Sequence, residues 1–174
     1  MALGKPNLEI FAETLLTLAQ ADRDILAITS DSRGSGKLGP FGKALPGQIV
    51  EVGIAEQNLV GIAAGLASAG KKVYAVSPAC FLTARSLEQI KNDVAYSDNR
   101  VKVIGISAGV SYGALGSTHH SLHDFAALQA INNLDIVAPA DNFETRAVIE
   151  AALLAHEDAL DWDPEIVLSG SEIA

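Results

Sequence analysis

A single cysteine, Cys80, occurs in 174 residues. One thiol cannot close an intramolecular disulfide, which fits a reducing cytoplasm. Aromatic residues make up only 5% of the chain, so stacked aromatic clusters cannot dominate its core. Positive charge is also scarce: 12 Lys and Arg stand against 21 Asp and Glu, for a net charge of −9. A chain this acidic repels nucleic acid and anionic membrane surfaces, which argues against both as partners. Long hydrophobic runs are missing too. The most apolar long stretch, 59–69, is rich in Gly and Ala, shorter than a bilayer span, and preceded by Glu56, Gln57 and Asn58. Residues 1–7 lack the apolar core of a signal peptide.

What is present is a globular balance, 49% hydrophobic and 19% charged, at a length that suits one domain over residues 1–174. Short β-branched runs at 24–29, 48–52, 72–76, 101–106, 134–138 and 165–168 read as strands. Between them, 8–21, 55–69, 84–95, 122–131 and 143–156 carry apolar residues at helical spacing. Strands alternating with helices of this length predict an α/β fold: a mostly parallel six-stranded sheet with helices on both faces. Right-handed crossovers place the loops that follow strands at one edge, where ligands bind in open α/β sheets. Asn142 ahead of Glu144 is expected to cap the last long helix, and Gly70 to end the 55–69 helix. The Gly-, Pro- and Ser-rich segment 30–46 is expected to be a long loop of functional interest.

Four constellations could carry chemistry. In Val52-Gly53-Ile54-Ala55-Glu56-Gln57-Asn58 a strand turns into a small, apolar helix. Glu56 is then either an acid that complements the helix dipole or a functional carboxylate at a packed interface. In the run from Gly113 to Asp124, His119, His120 and His123 follow a strand and a glycine-rich turn. They are substrate or proton-handling groups, structural residues, or, through His119 and His123 four apart on a helix, a zinc pair that lacks an evident third ligand. Gly34-Ser35-Gly36-Lys37-Leu38-Gly39 matches G-x-G-x-x-G, but Pro40, Gly42 and Pro46 follow and no helical pattern starts there. A flexible loop is expected instead of a dinucleotide site. Phe81, just beyond the third strand, is either core or a stacking platform for a flat heterocycle. No base can be placed beside Cys80, which reads as buried and inert.

Taken in order, Gly53-Ile54-Ala55-Glu56-Gln57-Asn58, Phe81-Leu82-Thr83-Ala84-Arg85 with Glu88-Gln89-Ile90, Gly116-Ser117-Thr118-His119-His120 and Val137-Ala138-Pro139-Ala140-Asp141 resemble the pyrimidine-binding domain of transketolase. The resemblance covers about residues 7–155 and is strongest to the small subunit of bacterial split transketolases. It is weaker to deoxyxylulose-phosphate synthase and to the β subunits of 2-oxo-acid dehydrogenases, which stay as alternatives. The resemblance implies the thiamine-diphosphate-binding fold and a thiamine-diphosphate cofactor. It matches Glu56 to the acid that hydrogen-bonds the aminopyrimidine ring and activates the cofactor, Phe81 to the aromatic stacked on that ring, with Ile54 beside them, and His119 to the histidine that contacts sugar hydroxyls.

Departures from the family pattern are as informative. Leu115 stands where transketolases usually carry an acid, Ser107 where many carry a histidine, and Pro78 where an aromatic is common. These positions shape the substrate pocket, so an unusual ketose phosphate, branched or catabolic, is expected. No Gly-Asp-Gly segment is present, and the family's usual C-terminal domain is not expected within residues 1–174. Magnesium and the diphosphate are therefore expected on an N-terminal, diphosphate-binding partner subunit, in a homodimer or heterotetramer, with this chain inactive alone. No metal is expected on the chain itself. Two readings of another class stay open: a metal-binding module on His119 and His123, and a non-catalytic assembly subunit.

Overall fold

The computed structural model describes residues 4–154 and 165–168. Six parallel strands form one sheet: β1 Ile25–Thr29, β2 Ile49–Glu51, β3 Lys72–Pro78, β4 Val101–Ile106, β5 Asp135–Val137 and β6 Glu165–Leu168. Their spatial order is β2-β1-β3-β4-β6-β5. Residues one apart on a strand face opposite sides, and this period divides the core in two. Ile28, Val73, Ala75, Val101 and Val103 pack on one face with Leu59, Val60 and Ala63 of α3 (Glu56–Ser68) and Leu82 of α4 (Ala79–Arg85). Ile25, Ala27, Tyr74, Val76, Ile104 and Ile106 pack on the other, against Phe11 and Leu15 of α1 (Asn7–Ala21) and Ile149 of α7 (Asn142–Leu154). Tyr74, fully buried, spends its hydroxyl on the Ile149 carbonyl at 3.3 Å.

Helix ends follow local chemistry. Gly70, at φ +85°, donates to the Ala67 carbonyl, and Lys71 donates to that of Leu66, so a left-handed glycine closes α3 as expected. The start of α7 corrects the expected cap. Asp141, not Asn142, accepts the Glu144 N–H through Oδ1 at 2.8 Å, while the Glu144 carboxylate accepts the Ala140 N–H at 2.7 Å. This reciprocal pair satisfies two helix-end donors and is worth about 1 kcal/mol. The predicted extension of α7 to His156 lies outside the described residues.

Three other expectations are revised. Segment 30–46 is not a plain loop: it contains α2 (Gly39–Ala44), opened by Pro40 in its first turn. Leu38 and Phe41 are driven into the core at 0% and 1% exposure, which explains why a helix forms in a glycine-rich stretch. At six residues, and with its apolar side turned inward, α2 is a core plug rather than a dinucleotide helix. The single helix expected over 84–95 is broken into α4, a short turn α5 (Leu87–Gln89) and a π-helical segment Ile90–Tyr96. Thr83 and Ser86 donate their hydroxyls back to the carbonyls of Ala79 and Leu82, a pattern that bends helices. The helix expected over 122–131 shrinks to α6 (Asp124–Leu128).

Candidate active site

Because every strand is parallel, their C-terminal ends share one edge: Thr29 pairs with Glu51 and with Val76, and Ser77 with Gly105. Backbone in the left-handed region collects just past these ends, at Asp31 after β1, Gly53 after β2 and Ser107 after β4. Such φ values in non-glycine residues are uncommon and recur at functional edges.

Glu56 is the first residue of α3. The turn that delivers it is fixed by Glu51, whose carboxylate accepts the Thr29 hydroxyl at 2.7 Å and the N–H groups of Asp31 and Gly53 at 2.6 and 3.1 Å. Burial alone would raise the Glu51 carboxyl. These donors and the Arg33 charge outweigh it and hold the group below its ordinary value of 4.5. A depressed carboxyl contributes stability that is complete above its unfolded value and is lost as pH falls through its folded one. Glu51→Gln is therefore expected to flatten the loss of stability on acidification below about pH 4.5, measured as urea midpoints between about pH 3 and 6. Parallel curves for variant and wild type would contradict this.

The Glu56 side chain is 4% exposed, yet it has no partner on its own helix. Its partner is Arg85, at the end of α4, whose Nη1 donates to both carboxylate oxygens at 2.9 Å. The guanidinium also lies over the Phe81 ring, 4.3 Å from its centroid. Phe81 in turn meets the His119 ring edge-on at 5.1 Å, and His119 meets Tyr112 at 5.6 Å. Glu56, Arg85, Phe81, His119 and Tyr112 thus form one continuous line of contacts. Phe81 and Arg85 are four apart on α4, the spacing at which helical side chains meet.

His119 lies in a 3-10 turn, Ser117–His119, with Nδ1 against the Thr118 hydroxyl at 3.0 Å. His120 contacts the Gly113 carbonyl at 3.2 Å. His119 and His123 do not share the helical face a zinc pair would need, because His123 sits only at the threshold of α6. Among the described residues no cluster of three or more His, Cys, Asp or Glu could hold a metal ion. The loop carrying these histidines is tied down by a paired bridge between Gly109 and Ser121. Buried Asp124 adds to it, accepting the Ser121 hydroxyl at 2.7 Å. Ser107 is half-buried beyond β4, whereas Leu115 and Ile54 are 57% and 74% exposed. Cys80 is buried, and that burial pushes its thiol up from the ordinary 9.0, which disfavours the reactive thiolate.

Sequence reasoning misses the functional place of two members of this line. Arg85 stands 29 positions from Glu56, and only folding brings them together. Tyr112 abuts the glycine-rich turn, and that position is its one available signal.

A parallel α/β sheet covered by helices on both faces, with its loops gathered at the strand ends, places the chain in the open α/β class, where ligands bind at that edge. The chain belongs to the family described as transketolase, pyrimidine binding domain, which it matches over residues 6–160. It is 59% identical over 140 residues to a subunit of the apulose-4-phosphate transketolase of Phocaeicola vulgatus, covering 80% of this chain and 45% of that protein. The subunit of the same name from Actinobacillus succinogenes is 41% identical over 144 residues, covering 83% of this chain and 46% of the relative. Among solved structures, a split-gene transketolase in an inactive beta4 tetramer superposes with a TM-score of 0.80 at 32% identity, over 96% of this chain and 51% of that one. Transketolase from Leishmania mexicana shares the fold, with a TM-score of 0.83 at 20% identity over 98% of this chain and 26% of that one. The chain spans about half the length of the curated relatives it matches. No helix among the described residues is long and apolar enough to cross a membrane.

Proposed function

We propose that this chain supplies the pyrimidine-binding half of a two-chain transketolase that moves a two-carbon ketol unit between sugar phosphates. The observation that carries the reading is a 4%-exposed carboxylate, Glu56, joined to the face of Phe81 by a planar nitrogen cation. A site that already holds a flat N–H donor between acid and aromatic ring suits the aminopyrimidine half of thiamine diphosphate. When bound, that cofactor supplies the nucleophilic carbon on which ketol transfer depends. In this proposal Glu56 hydrogen-bonds the ring nitrogen and holds the proton there, Phe81 stacks on the ring, and Ile54 borders it.

The remaining roles are carried over from the family resemblance. His119, held edge-on by Phe81 and Tyr112, contacts sugar hydroxyls, and Ser107 and Leu115 shape the substrate pocket. Two relatives carry apulose 4-phosphate in their names, which supports that ketose phosphate as donor. The relatives of this chain are named as subunits, and magnesium and the diphosphate are assigned to an N-terminal partner subunit, in a homodimer or heterotetramer. The free Cys80 is in keeping with a cytoplasmic enzyme.

Reconstitution tests this reading. Ketol transfer from apulose 4-phosphate is expected only when the chain, a diphosphate-binding subunit, thiamine diphosphate and magnesium are combined. Transfer by the chain alone, or none by the full mixture, would overturn it. Xylulose 5-phosphate as the best donor would overturn the substrate assignment and leave the activity standing.

A further inference from the structure

The proposed ring site is already filled by the chain itself. The Arg85 guanidinium is planar, lies over the Phe81 ring with Cζ 4.3 Å from its centroid, and donates to both oxygens of the buried Glu56. Those are the two contacts that a flat heterocycle with an adjacent hydrogen-bonding nitrogen would make in the same place. A ring that takes this face of Phe81 and this carboxylate excludes the guanidinium from both.

Two further observations bear on what Arg85 does there. Glu56 without a cation would be a buried, unpaired carboxylate, a costly arrangement that the isolated chain avoids by keeping Arg85 in place. Arg85 is far less confined: its side chain is 47% exposed, against 4% for Glu56. It lines an open cleft of about 820 Å3 with Ile54, Gln57 and Asn58, so the guanidinium has room to leave. Its departure returns the charge to water, where an arginine is well solvated. The acid stays where it is, and the arginine is the movable partner.

We propose that Arg85 is an internal placeholder that holds Glu56 and Phe81 ready while the cofactor is absent, in the assembled enzyme as in this chain, and must be displaced before the aminopyrimidine ring can bind. It therefore lowers cofactor affinity, and this rests on the ring-binding role proposed for Glu56 and Phe81. Apparent affinity falls by the fraction of molecules whose site is open. An arginine seated about nine-tenths of the time weakens binding about tenfold.

The test is calorimetric titration of thiamine diphosphate, with magnesium, into the reconstituted two-subunit complex carrying wild-type chain, Arg85→Met or Arg85→Lys. Arg85→Met removes the donors and the charge at similar length, and about tenfold tighter binding is expected. Arg85→Lys keeps a charge but loses the planar guanidinium, and an intermediate gain is expected. Circular dichroism and thermal melting check that each variant is folded. If Arg85→Met does not fold, the lysine variant decides the matter by the same criterion. Equal or weaker binding in the folded variants would overturn the placeholder and make Arg85 a cofactor contact or a purely structural ion pair. Absence of binding to the wild-type complex would instead overturn the ring-site reading.

Discussion

Replacing Glu56 by Gln in the assembled two-chain enzyme is expected to lower turnover by about 10²–10⁴-fold, the span usual for a positioned acid or base. The amide keeps the size of the side chain and its ability to accept a hydrogen bond, but it cannot hold and release a proton at the ring nitrogen. The fold should survive. Among the described residues Glu56 makes its side-chain hydrogen bonds to Arg85 alone, and that half-exposed guanidinium can turn to solvent once its counter-charge is gone. Steady-state kinetics with saturating cofactor, alongside a urea midpoint for the variant, separate the two effects. A variant that unfolds no earlier yet turns over slowly supports the activating role. Unaltered turnover would remove Glu56 from the mechanism and favour a docking subunit.

The second large effect lies away from the chemistry. Phe41→Ala is expected to destabilise the chain by about 3–5 kcal/mol, since a phenyl ring removed from a packed core leaves a cavity that neighbours fill only in part. Phe41 is 1% exposed, and Leu38 beside it is fully buried in the same cluster as Phe11, Tyr74 and Val76. Small domains have only about 5–15 kcal/mol of stability in total, so the variant should approach unfolding at ambient temperature. Urea titration measures this directly. A change below about 0.5 kcal/mol, ordinary for an exposed position, would show that α2 is not part of the core.

Phe41 also marks where sequence reading fails. The strands were legible because Ile25, Val73, Val101 and their neighbours form short β-branched runs, and the sheet buries both faces of them. The long helices α1, α3 and α7 were legible from apolar spacing. Segment 30–46 was not, because Gly and Pro dominate its composition and two buried apolar residues are too few to set a period. The break at Ser86 was hidden for a related reason: the surrounding pattern continues as a helix, and only the back-bonded hydroxyls of Thr83 and Ser86 disrupt it. Within the site, Glu56, Phe81 and His119 stood out through a family resemblance, and the structure brings Phe81 and His119 into contact. The bond between Glu56 and Arg85 was invisible, because a contact between separate strand–helix units leaves no local pattern.

The order of the strands bears on how the chain comes off the ribosome. β6 lies between β4 and β5, and among the described residues β5 pairs with no other strand. A nascent chain that has emerged through β5 can assemble β2-β1-β3-β4, with the Glu56 and Phe81 turns already in place. Residues 135–137, however, have nothing to join until residues 165–168 are translated. Until then β4 offers an open edge, a template for mispairing with another chain. Synthesis rate past that point, and the chaperones that attend it, should therefore govern how much of this protein reaches its native state.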